Sequence, residues 1–521
     1  MTDRQQILWI DDEIELLRSH ILFLTEKGYE VDTVTNGEDA IYKVREKHYD
    51  LIFIDEMMPG MGGLETLSEI KEINPAIPIV MVTKNEEESL MNDAIGNKID
   101  DYLIKPVLPS QMLMVCKKIL DKKKISGEYV TKDYMKEFSR ISARLMGEND
   151  FLDWIDIYKR LTAWDLELDE HPEIDLRQTL YDQIKEANKV FSKYVERNYY
   201  DWIIEPDDAP TLSPQIFERY VLPELTEAEG PVFFFVLDCM RLDQWRVMEK
   251  YLREYFNIVT DYYYSILPTA TPYSRNALFS GLFPAEIQQR HPEYWVNKFE
   301  NESQLNKHEK DLLSLMLRRY KVDLRNEMKY LKIIDPAVGR SFAQNVASHK
   351  NTHFMAVVIN FLDMIVHSRS DNDVLKEISP DEPAFRSLTE SWFKHSSFFS
   401  IMKTISGMKG ARVILTTDHG SIRVKRGAKV LGDKEAAKNL RFKYGRNLKA
   451  DDKHAMYIRQ PEKFKLPEMG IATNYIIAKE DYYFVYPTDY HKYLNLYRDT
   501  FQHGGISMEE MILPVALLEA E

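Results

Sequence analysis

The chain contains little cysteine: only Cys116 and Cys239 occur among its 521 residues, both within apolar segments. Two such thiols give no disulfide framework, which indicates a reducing compartment. No stretch approaches the roughly 18 consecutive apolar residues that a membrane-spanning helix needs. The first residues, Met-Thr-Asp-Arg-Gln-Gln, show no signal-peptide pattern. These absences predict a cytoplasmic protein without a membrane span.

Positive charge is also scarce, with 68 Lys and Arg against 84 Asp and Glu and a net charge of −16. This balance argues against non-specific nucleic-acid binding by the whole surface. No helix-turn-helix or winged-helix pattern is present, so direct sequence-specific DNA binding is not expected. A hydrophobic share of 44% with 29% charged residues is typical of a soluble globular protein. The length predicts two to four domains.

Residues 1–122 alternate strand-like and helix-like segments joined by short connections. Amphipathic runs at helical spacing separate the apolar segments, which favours a doubly wound α/β sheet of parallel strands. The predicted strands are Gln6–Ile10, Glu30–Val34, Leu51–Ile54, Ile77–Val82 and Asp101–Ile104.

Charged and hydroxyl residues follow these predicted strands. Asp11 and Asp12 come after the first strand, Asp55 after the third, and Lys105 after the fifth. Carboxylates gathered at one sheet edge favour a hard cation such as Mg²⁺, and Asp55 is then the natural nucleophile for a phosphoryl group. The motifs Ile-Asp-Asp-Glu at 10–13, Asp-Glu-Met-Met-Pro at 55–59, Val-Thr-Lys at 82–84 and Tyr-Leu-Ile-Lys-Pro at 102–106 resemble those of response-regulator receiver domains.

This resemblance implies that a cognate sensor histidine kinase phosphorylates Asp55. It also places Mg²⁺ on Asp12, Asp55 and the carbonyl of Met57, with Asp11 acting through water. A receiver-like fold that is not phosphorylated is the alternative, although every expected position is filled.

The same resemblance assigns a switch to the receiver. Lys105 pairs with the phosphoryl group, while Thr83 and Tyr102 change position when it is present. Phosphorylation is then expected to promote a homodimer through the last helices, Glu86–Ile95 and Pro109–Lys123.

Residues 123–205 are predicted to form an all-α helical bundle. No glycine occurs between Gly147 and Gly230, and apolar residues recur at helical spacing. This segment carries no chemical motif, so it is either a spacer, or a relay or partner-docking surface between the receiver and the domain that follows. Three prolines at 206, 210 and 214 predict a linker after it.

Residues 206–521 return to an α/β pattern with three apolar runs that end in carboxylates. Val232–Leu237 precedes Asp238, Val357–Leu362 precedes Asp363, and the run from Val413 ends in Asp418-His419. Parallel sheets place their chemistry at the carboxyl ends of strands. Together with His367, His419 and His503, these residues form a set of potential metal ligands.

Thr271 precedes Pro272 at a predicted helix start. The hydroxyl is either a structural N-cap or a nucleophile at a site where the helix dipole favours phosphate. Thr269 and Ser274 are rival hydroxyls, but the position relative to Pro272 favours Thr271.

The order Asp…Thr…Asp-x-x-x-His…Asp-His-Gly…His-Gly-Gly resembles the alkaline phosphatase superfamily, most closely its PglZ branch. The resemblance implies two zinc ions and a covalent intermediate on Thr271. Nitrogen and oxygen ligands with an open position suit catalytic Zn²⁺. A threonine nucleophile favours diesters over monoesters. The implied ligands are Asp238, Thr271, Asp418 and His419 for one ion, and Asp363, His367 and His503 for the other.

A local excess of positive charge follows Asp418-His419. Between Arg423 and Lys449 there are ten Lys and Arg against two acids. Such a run is usually a solvated face, but its position favours an electrostatic funnel for a polyanion. The candidate substrate contacts are Arg275, Asn276, Arg423, Lys425 and Arg426.

As a whole, the chain resembles response regulators of the type IX secretion system, which combine a receiver, a helical segment and a PglZ domain. This resemblance implies contact with an extracytoplasmic-function sigma factor and activity on cyclic or linear oligonucleotides. The alternative is a non-catalytic adaptor whose PglZ-like domain binds a transcription partner. An intact Thr271 favours the enzyme, because a scaffold needs no nucleophile.

Overall fold

A computed structural model describes residues 5–75, 77–84, 99–120, 122–295, 306–371, 373–432, 439–470, 473–488 and 490–520. The chain divides into two compact units, Met1–Met135 and Lys136–Glu521. Among the described residues, no helix combines the length and apolar composition that crossing a membrane requires.

The first unit contains the predicted parallel sheet, with strand order β2-β1-β3-β4-β5. Its strands are β1 Gln6–Ile10, β2 Glu30–Val34, β3 Leu51–Asp55, β4 Ile79–Thr83 and β5 Asp101–Ile104; its helices are α1 Arg18–Glu26, α2 Gly37–Glu46, α3 Gly63–Ile73 and α4 Pro109–Leu120. Side chains alternate between two cores, with Leu8 and Ile10 on one face and Ile7 and Trp9 on the other. Strand β4 begins two residues later than predicted, after Pro78, which has no N–H for the sheet.

Three long helices follow: α5 Lys122–Leu145, α6 Phe151–Glu170 and α7 Arg177–Ile204. Asp150 caps α6 through a capping box with Asp153. The rings of Trp202 on α7 and Tyr264 lie 5.3 Å apart, and the Tyr264 hydroxyl donates to the Phe151 carbonyl at 2.8 Å. Helices α6 and α7 therefore belong to the same compact unit as the C-terminal sheet.

The proline-rich segment after α7 is packed. Leu212 is buried and pairs with Tyr264 in a β-bridge, and the Tyr264 N–H donates to the Thr211 carbonyl. The predicted linker is thus held against the sheet, because its apolar and backbone groups are satisfied there.

The second unit is built on a six-stranded sheet with order β7-β18-β10-β6-β9-β8. Strands β8, β9, β6 and β10 are parallel, whereas β18 runs antiparallel to β10 and β7. These strands are β6 Val232–Leu237, β7 Phe256–Tyr264, β8 Lys329–Ile333, β9 Phe354–Ile359, β10 Arg412–Thr416 and β18 Ile512–Ala520.

Helices surround this sheet, and seven short strands fall between β10 and β18. The helices are α8 Leu222–Glu227, α9 Leu242–Leu252, α10 Thr271–Ser280, α11 Pro284–Arg290, α12 Glu309–Arg319, α13 Pro336–Asn345, α14 Phe361–Asp371, α15 Asp373–Ile378, α16 Glu382–His395, α17 Ser397–Ser406, α18 Tyr490–Tyr497 and α19 Met508–Met511. The short strands are β11 Ile422–Arg423, β12 Arg426–Lys429, β13 Phe442–Gly445, β14 Ala455–Ile458, β15 Asn474–Ala478, β16 Tyr482–Val485 and β17 Phe501–Gln502.

One predicted strand ends elsewhere. Strand β9 stops at Ile359, and Asp363 lies in the first turn of α14 rather than directly after a strand. Phe361 and Leu362 extend the apolar run as the start of a helix, and apolar character alone does not distinguish a buried strand from a buried helix. The shift places Asp363 and His367 one turn apart on a helix.

Candidate metal centre and phosphorylation site

Three neighbouring strands bring the predicted metal ligands to one edge of the sheet. Strand β6 lies between β9 and β10, with Leu237 opposite Ile359 and Val236 opposite Thr416. Asp238 directly follows β6, and Asp418 lies two residues after β10. The shared carboxyl edge of these parallel strands therefore gathers the carboxylates.

The first ligand group consists of Asp238, Asp418 and His419, all fully buried. The His419 Nε2 lies 3.7 Å from Asp238 Oδ1 and 3.6 Å from Asp418 Oδ2. These ligand atoms lie within 4.8 Å of one another, close enough to bind a single cation.

The second group consists of Asp363, His367 and His503. Asp363 Oδ1 lies 3.2 Å from His367 Nε2 and 3.6 Å from His503 Nε2, and the two imidazole nitrogens are 3.2 Å apart. His503 is buried, whereas the His367 side chain is 44% exposed, so this group reaches solvent on the His367 side.

The two groups adjoin, since the rings of His419 and His503 stack with centroids 4.3 Å apart. The structure thus brings together the two ligand sets that the resemblance implied.

Thr271 lies beside the first group, with its hydroxyl 2.9 Å from His419 Nε2. It is the first residue of α10, and the N-cap position belongs to Ala270, which has no side-chain cap. The Thr271 hydroxyl therefore faces a metal-ligand candidate and does not cap the helix.

The rival hydroxyls are engaged elsewhere. Thr269 Oγ1 donates to the Gly505 carbonyl and accepts from the Gly504 N–H. Ser274 Oγ donates to the Ala270 carbonyl one turn earlier. Among the three candidate nucleophiles, Thr271 alone has its hydroxyl at the ligand groups.

The chemistry of the first group fits a cation. Asp238 Oδ1 and Asp418 Oδ2 are buried, and neither has a hydrogen-bond partner among the described residues. Burial, which the Arg275 charge opposes, raises the pKa of Asp238 to about 8 and the pKa of Asp418 to about 6. Bare buried carboxylate oxygens are costly unless an ion satisfies them.

The second group has the protonation states that a metal needs. Burial and the neighbouring His419 and His367 hold the pKa of His503 well below its ordinary value, so its imidazole is neutral. Burial opposes ionisation of Asp363, but the hydrogen bond to His367 and the electrostatic effect of the His367 ring lower its pKa overall. Neutral imidazole and ionised carboxylate are the metal-binding forms.

Arg275 and Asn276, the predicted substrate contacts beside Thr271, are bound to other groups of the site. The buried guanidinium of Arg275 pairs with Asp238 Oδ2 and, at 2.6 Å, with Glu309 Oε1. The Asn276 amide donates to the Pro272 carbonyl, and its oxygen accepts from Asn306. These contacts favour a role in holding the site together, and the substrate-contact role stays a prediction.

The predicted basic funnel is not supported by the described part of segment 423–449. Arg423 pairs with Glu382 at 3.2 Å, Arg426 pairs with Glu480 at 2.6 Å, and Lys425 lies 5.1 Å from the ring centroid of Tyr181. These three side chains line a separate cavity of about 230 Å³ beside α6 and α7, and Thr271 is not among its lining residues. The two arginines pair with carboxylates distant in sequence and the lysine lies over an aromatic ring, which a count of basic residues does not reveal.

Two supporting donors were not predicted. Asn360 Nδ2 donates to Asp238 Oδ2 at 2.6 Å, and the Cys239 N–H donates to Asp418 Oδ1 at 3.4 Å. They orient the carboxylates toward the ligand groups. The position of Asn360 could have been predicted from the sequence, because it directly follows β9 just as Asp238 follows β6. The donor at Cys239 is a backbone N–H, which no sequence pattern indicates.

In the receiver unit, Asp11, Asp12 and Asp55 form a third ligand group. The Lys105 ammonium lies 2.9 Å from both Asp11 Oδ2 and Asp55 Oδ2. Burial raises the pKa of Asp55, although the Lys105 charge acts in the opposite direction. A carboxylate held by lysine beside two other acids suits Mg²⁺ binding and phosphoryl transfer.

The switch residues lie at the same sheet edge. Thr83 ends β4, and its hydroxyl donates to Glu56; Tyr102 in β5 is 40% exposed. Met57, whose carbonyl is the predicted Mg²⁺ ligand, follows Asp55 by two residues. The whole of the predicted dimerisation helix Glu86–Ile95 lies outside the described residues, so that prediction stays open.

Three family models match the chain. Residues 7–117 match the response regulator receiver domain, residues 124–203 the PorX response regulator linker domain, and residues 216–518 the BREX system PglZ alkaline phosphatase-like domain. These matches follow the order of the sheet, helices and second sheet described above.

Curated relatives share shorter regions. The transcriptional regulatory protein ResD of Bacillus subtilis is 37% identical over 119 residues, 23% of this chain and 49% of ResD. ZraR of Klebsiella oxytoca is 33% identical over 139 residues, 27% of this chain and 31% of ZraR. The chain spans about half the length of these relatives or less.

Solved structures of response regulators match about a quarter of this chain or less. A two-component response regulator from Clostridium difficile is 32% identical, with 23% of this chain and 97% of that chain covered and a TM-score of 0.22. CheY4 of Vibrio cholerae is 25% identical, with 22% and 98% covered and a TM-score of 0.22. The PglZ match spans more than half of the chain and follows the receiver and linker matches, so the chain belongs to the PglZ alkaline phosphatase-like family and is a PorX-like response regulator.

Proposed function

We propose that a sensor histidine kinase phosphorylates this response regulator on Asp55 and that its PglZ domain is a zinc-dependent phosphodiesterase. One observation carries the enzymatic part: the Thr271 hydroxyl lies at the start of a helix, 2.9 Å from His419, beside two adjoining ligand groups. A receiver implies a kinase, and Asp55 beside Lys105 is its acceptor.

Two zinc ions would be held by the two ligand groups, and one Mg²⁺ by the receiver carboxylates. Asp238, Asp418, His419 and the Thr271 hydroxyl would hold the first zinc; Asp363, His367 and His503 would hold the second; and Asp11, Asp12, Asp55 and the Met57 carbonyl would serve Mg²⁺. Zinc supplies Lewis-acid stabilisation of phosphoryl oxygens and lowers the pKa of bound hydroxyl groups and water.

The proposed reaction uses Thr271 as the nucleophile. Its Oγ1 forms a bond to phosphorus as the bond from phosphorus to one ester oxygen breaks, and that alcohol leaves with a proton. Water then attacks the threonyl ester, releases a phosphomonoester and returns the threonine hydroxyl. The N-terminus of α10 favours negative charge on the phosphoryl oxygens throughout.

We propose cyclic or linear oligonucleotides as the substrates. A threonine nucleophile and a ligand group that opens to solvent at His367 support a diester of some size. Regulation of type IX secretion, homodimer formation on phosphorylation and contact with an extracytoplasmic-function sigma factor complete the proposal. Their support is the resemblance to PorX-like response regulators.

The test compares hydrolysis of a bis-aryl phosphate and the matching aryl monophosphate by zinc-loaded protein. Thr271→Ala should lower diester turnover by at least about a thousandfold. Ser274→Ala is the matched control, since that hydroxyl only donates to its own helix, and it should keep activity. If wild type and Thr271→Ala are equally inert while each binds two zinc ions, the domain is a non-catalytic adaptor.

A further inference from the structure

Asn188 on α7 contacts the loop that follows the metal-ligand candidate His503. Its Nδ2 donates to both carboxylate oxygens of Glu509, at 3.1 and 3.0 Å, and its Oδ1 accepts from the Met508 N–H at 2.8 Å. Asn188 is 3% exposed. A buried side chain from the helical segment thus binds α19 through three hydrogen bonds.

Helix α19, which Asn188 binds, contacts both the segment that carries His419 and the segment that carries His503. The Gly505 N–H, two residues after His503, donates to Glu510 Oε1 at 2.8 Å. The Gly420 N–H, directly after His419, donates to the Glu510 carbonyl at 3.2 Å. A Cβ on Gly420 would overlap the Glu509 carbonyl oxygen, so the two backbones touch. Displacement of the 509–510 backbone therefore moves His419 and His503.

Helix α6 is connected to the residues that precede His503 through a chain of ion pairs. Asp165 and Asp169 bind Arg386 at 2.6 and 2.7 Å, and Arg386 also donates to Asp243 at 3.1 Å. Asp243 pairs with Arg241.

The guanidinium of Arg241 lies 5.2 Å from the ring centroid of Phe501, two residues before His503. Both ends of the His503 segment are thus fixed by helices α6 and α7.

We propose that the helical segment is a positioning element of the metal centre, with Asn188 as its main positioning residue. Asn188 fixes Glu509, and Glu509 fixes the close packing of the His419 and His503 loops on which both ligand groups depend. This inference rests on the proposed zinc centre but assigns a role to a segment with no chemical motif. The segment is then more than a spacer.

Asn188→Asp is the sharpest test, because it keeps the acceptor for Met508 and replaces both donors to Glu509 with a like charge. We expect about tenfold weaker binding of at least one zinc ion, the scale at which a partner beyond the ligands acts. The measurement is competition with a chromophoric zinc chelator at pH 8, using the full chain. Asn198→Asp on the same helix, where the amide donates to the Tyr194 carbonyl, should bind zinc as wild type does.

The double variant Asn188→Asp/Glu509→Gln exchanges the two groups, so that an amide on residue 509 again donates to a carboxylate on residue 188. Zinc affinity should return to within about threefold of wild type, which a general loss of stability would not permit. If Asn188→Asp does not fold, Glu509→Gln alone, which sets two amides against each other, should weaken zinc binding severalfold.

Wild-type zinc affinity in Asn188→Asp, or no recovery in the double variant, overturns the inference. Absence of zinc binding by the wild type overturns the proposed function itself, so the two failures are distinguishable.

Discussion

Arg275 donates to Asp238, the carboxylate at the centre of the six-stranded sheet, and holds it from the side opposite its free oxygen. The pair is fully buried, and Glu309 binds the same guanidinium. One cation therefore offsets two acids beside a ligand group that already carries Asp418. This balance explains how the domain folds with so many buried carboxylates near one another.

Arg275→Lys should weaken zinc binding by about 10- to 100-fold, because lysine has no planar fork to hold Asp238 and Glu309 together. Zinc affinity by chelator competition is the measurement. Arg319→Lys is a suitable control, since Arg319 donates to carbonyls at the end of α10 and is not a member of either ligand group. Direct loss of substrate affinity with unchanged zinc affinity would instead support the original assignment of Arg275 as a phosphate contact.

Asp55→Ala should abolish acyl-phosphate formation on the receiver, since Asp55 is the carboxylate that Lys105 holds at 2.9 Å. Labelling with a phosphorylated kinase or a small phosphodonor measures this. Zinc content should stay unchanged because the zinc ligands lie in the other compact unit. Asp39→Ala, at an exposed acid on α2, serves as the control. Retained labelling of Asp55→Ala would require a different acceptor.

His503→Ala should reduce bound zinc from two ions to about one, since it removes a buried ligand and leaves only Asp363 and His367 in its group. Metal analysis after dialysis gives the stoichiometry. His395→Ala, at the exposed end of α16, is the matched control and should keep both ions. Two ions in His503→Ala would contradict the ligand set.

The metal-free protein should lose stability as pH rises from about 7 to 8. Burial raises the folded-state pKa of Asp238 to about 8, so the folded state keeps a proton that the unfolded state has released, at a cost of up to about 1.4 kcal/mol per pH unit. Asp418, with a folded-state pKa of about 6, and His503, with a lowered pKa, change stability in opposite directions at lower pH, so the range above pH 7 isolates Asp238.

Chemical denaturation at pH 7 and pH 8, with and without zinc, checks this prediction. Zinc should reduce the pH dependence, because a bound cation takes the place of the proton. A metal-free protein that is more stable at pH 8 than at pH 7 would contradict the raised pKa of Asp238.

Much of the fold followed from local patterns. The apolar runs of the receiver matched its five strands because buried parallel strands read as continuous apolar segments bounded by polar turns. The rule that parallel strands end at a common edge gathered Asp238 and Asp418, and the structure places them together. Thr271 was separable from Thr269 and Ser274 by its position before Pro272.

The site contacts that the sequence did not indicate involve partners distant in sequence. Arg275 and Glu309 are 34 residues apart, and Arg423 and Glu382 are 41 apart, so neither pair shows in a local charge pattern. A surplus of basic residues therefore predicted a funnel where the structure forms ion pairs. Similarly, the contacts of α6 and α7 with the sheet depend on aromatic rings whose pairing no spacing reveals.

Those aromatic contacts set the smallest part of the chain that can fold on its own. The ring centroid of Phe464 lies 5.5 Å from that of Tyr200 and 6.4 Å from that of Tyr199. The ring of Tyr264 packs on those of Trp202 and Phe191. A truncated protein that starts at residue 206 would leave these rings bare, and an apolar patch of that kind promotes aggregation. A fragment that starts before α6 keeps the helices that cover these rings. The boundary between the linker and PglZ family models is therefore not a suitable place to truncate the chain.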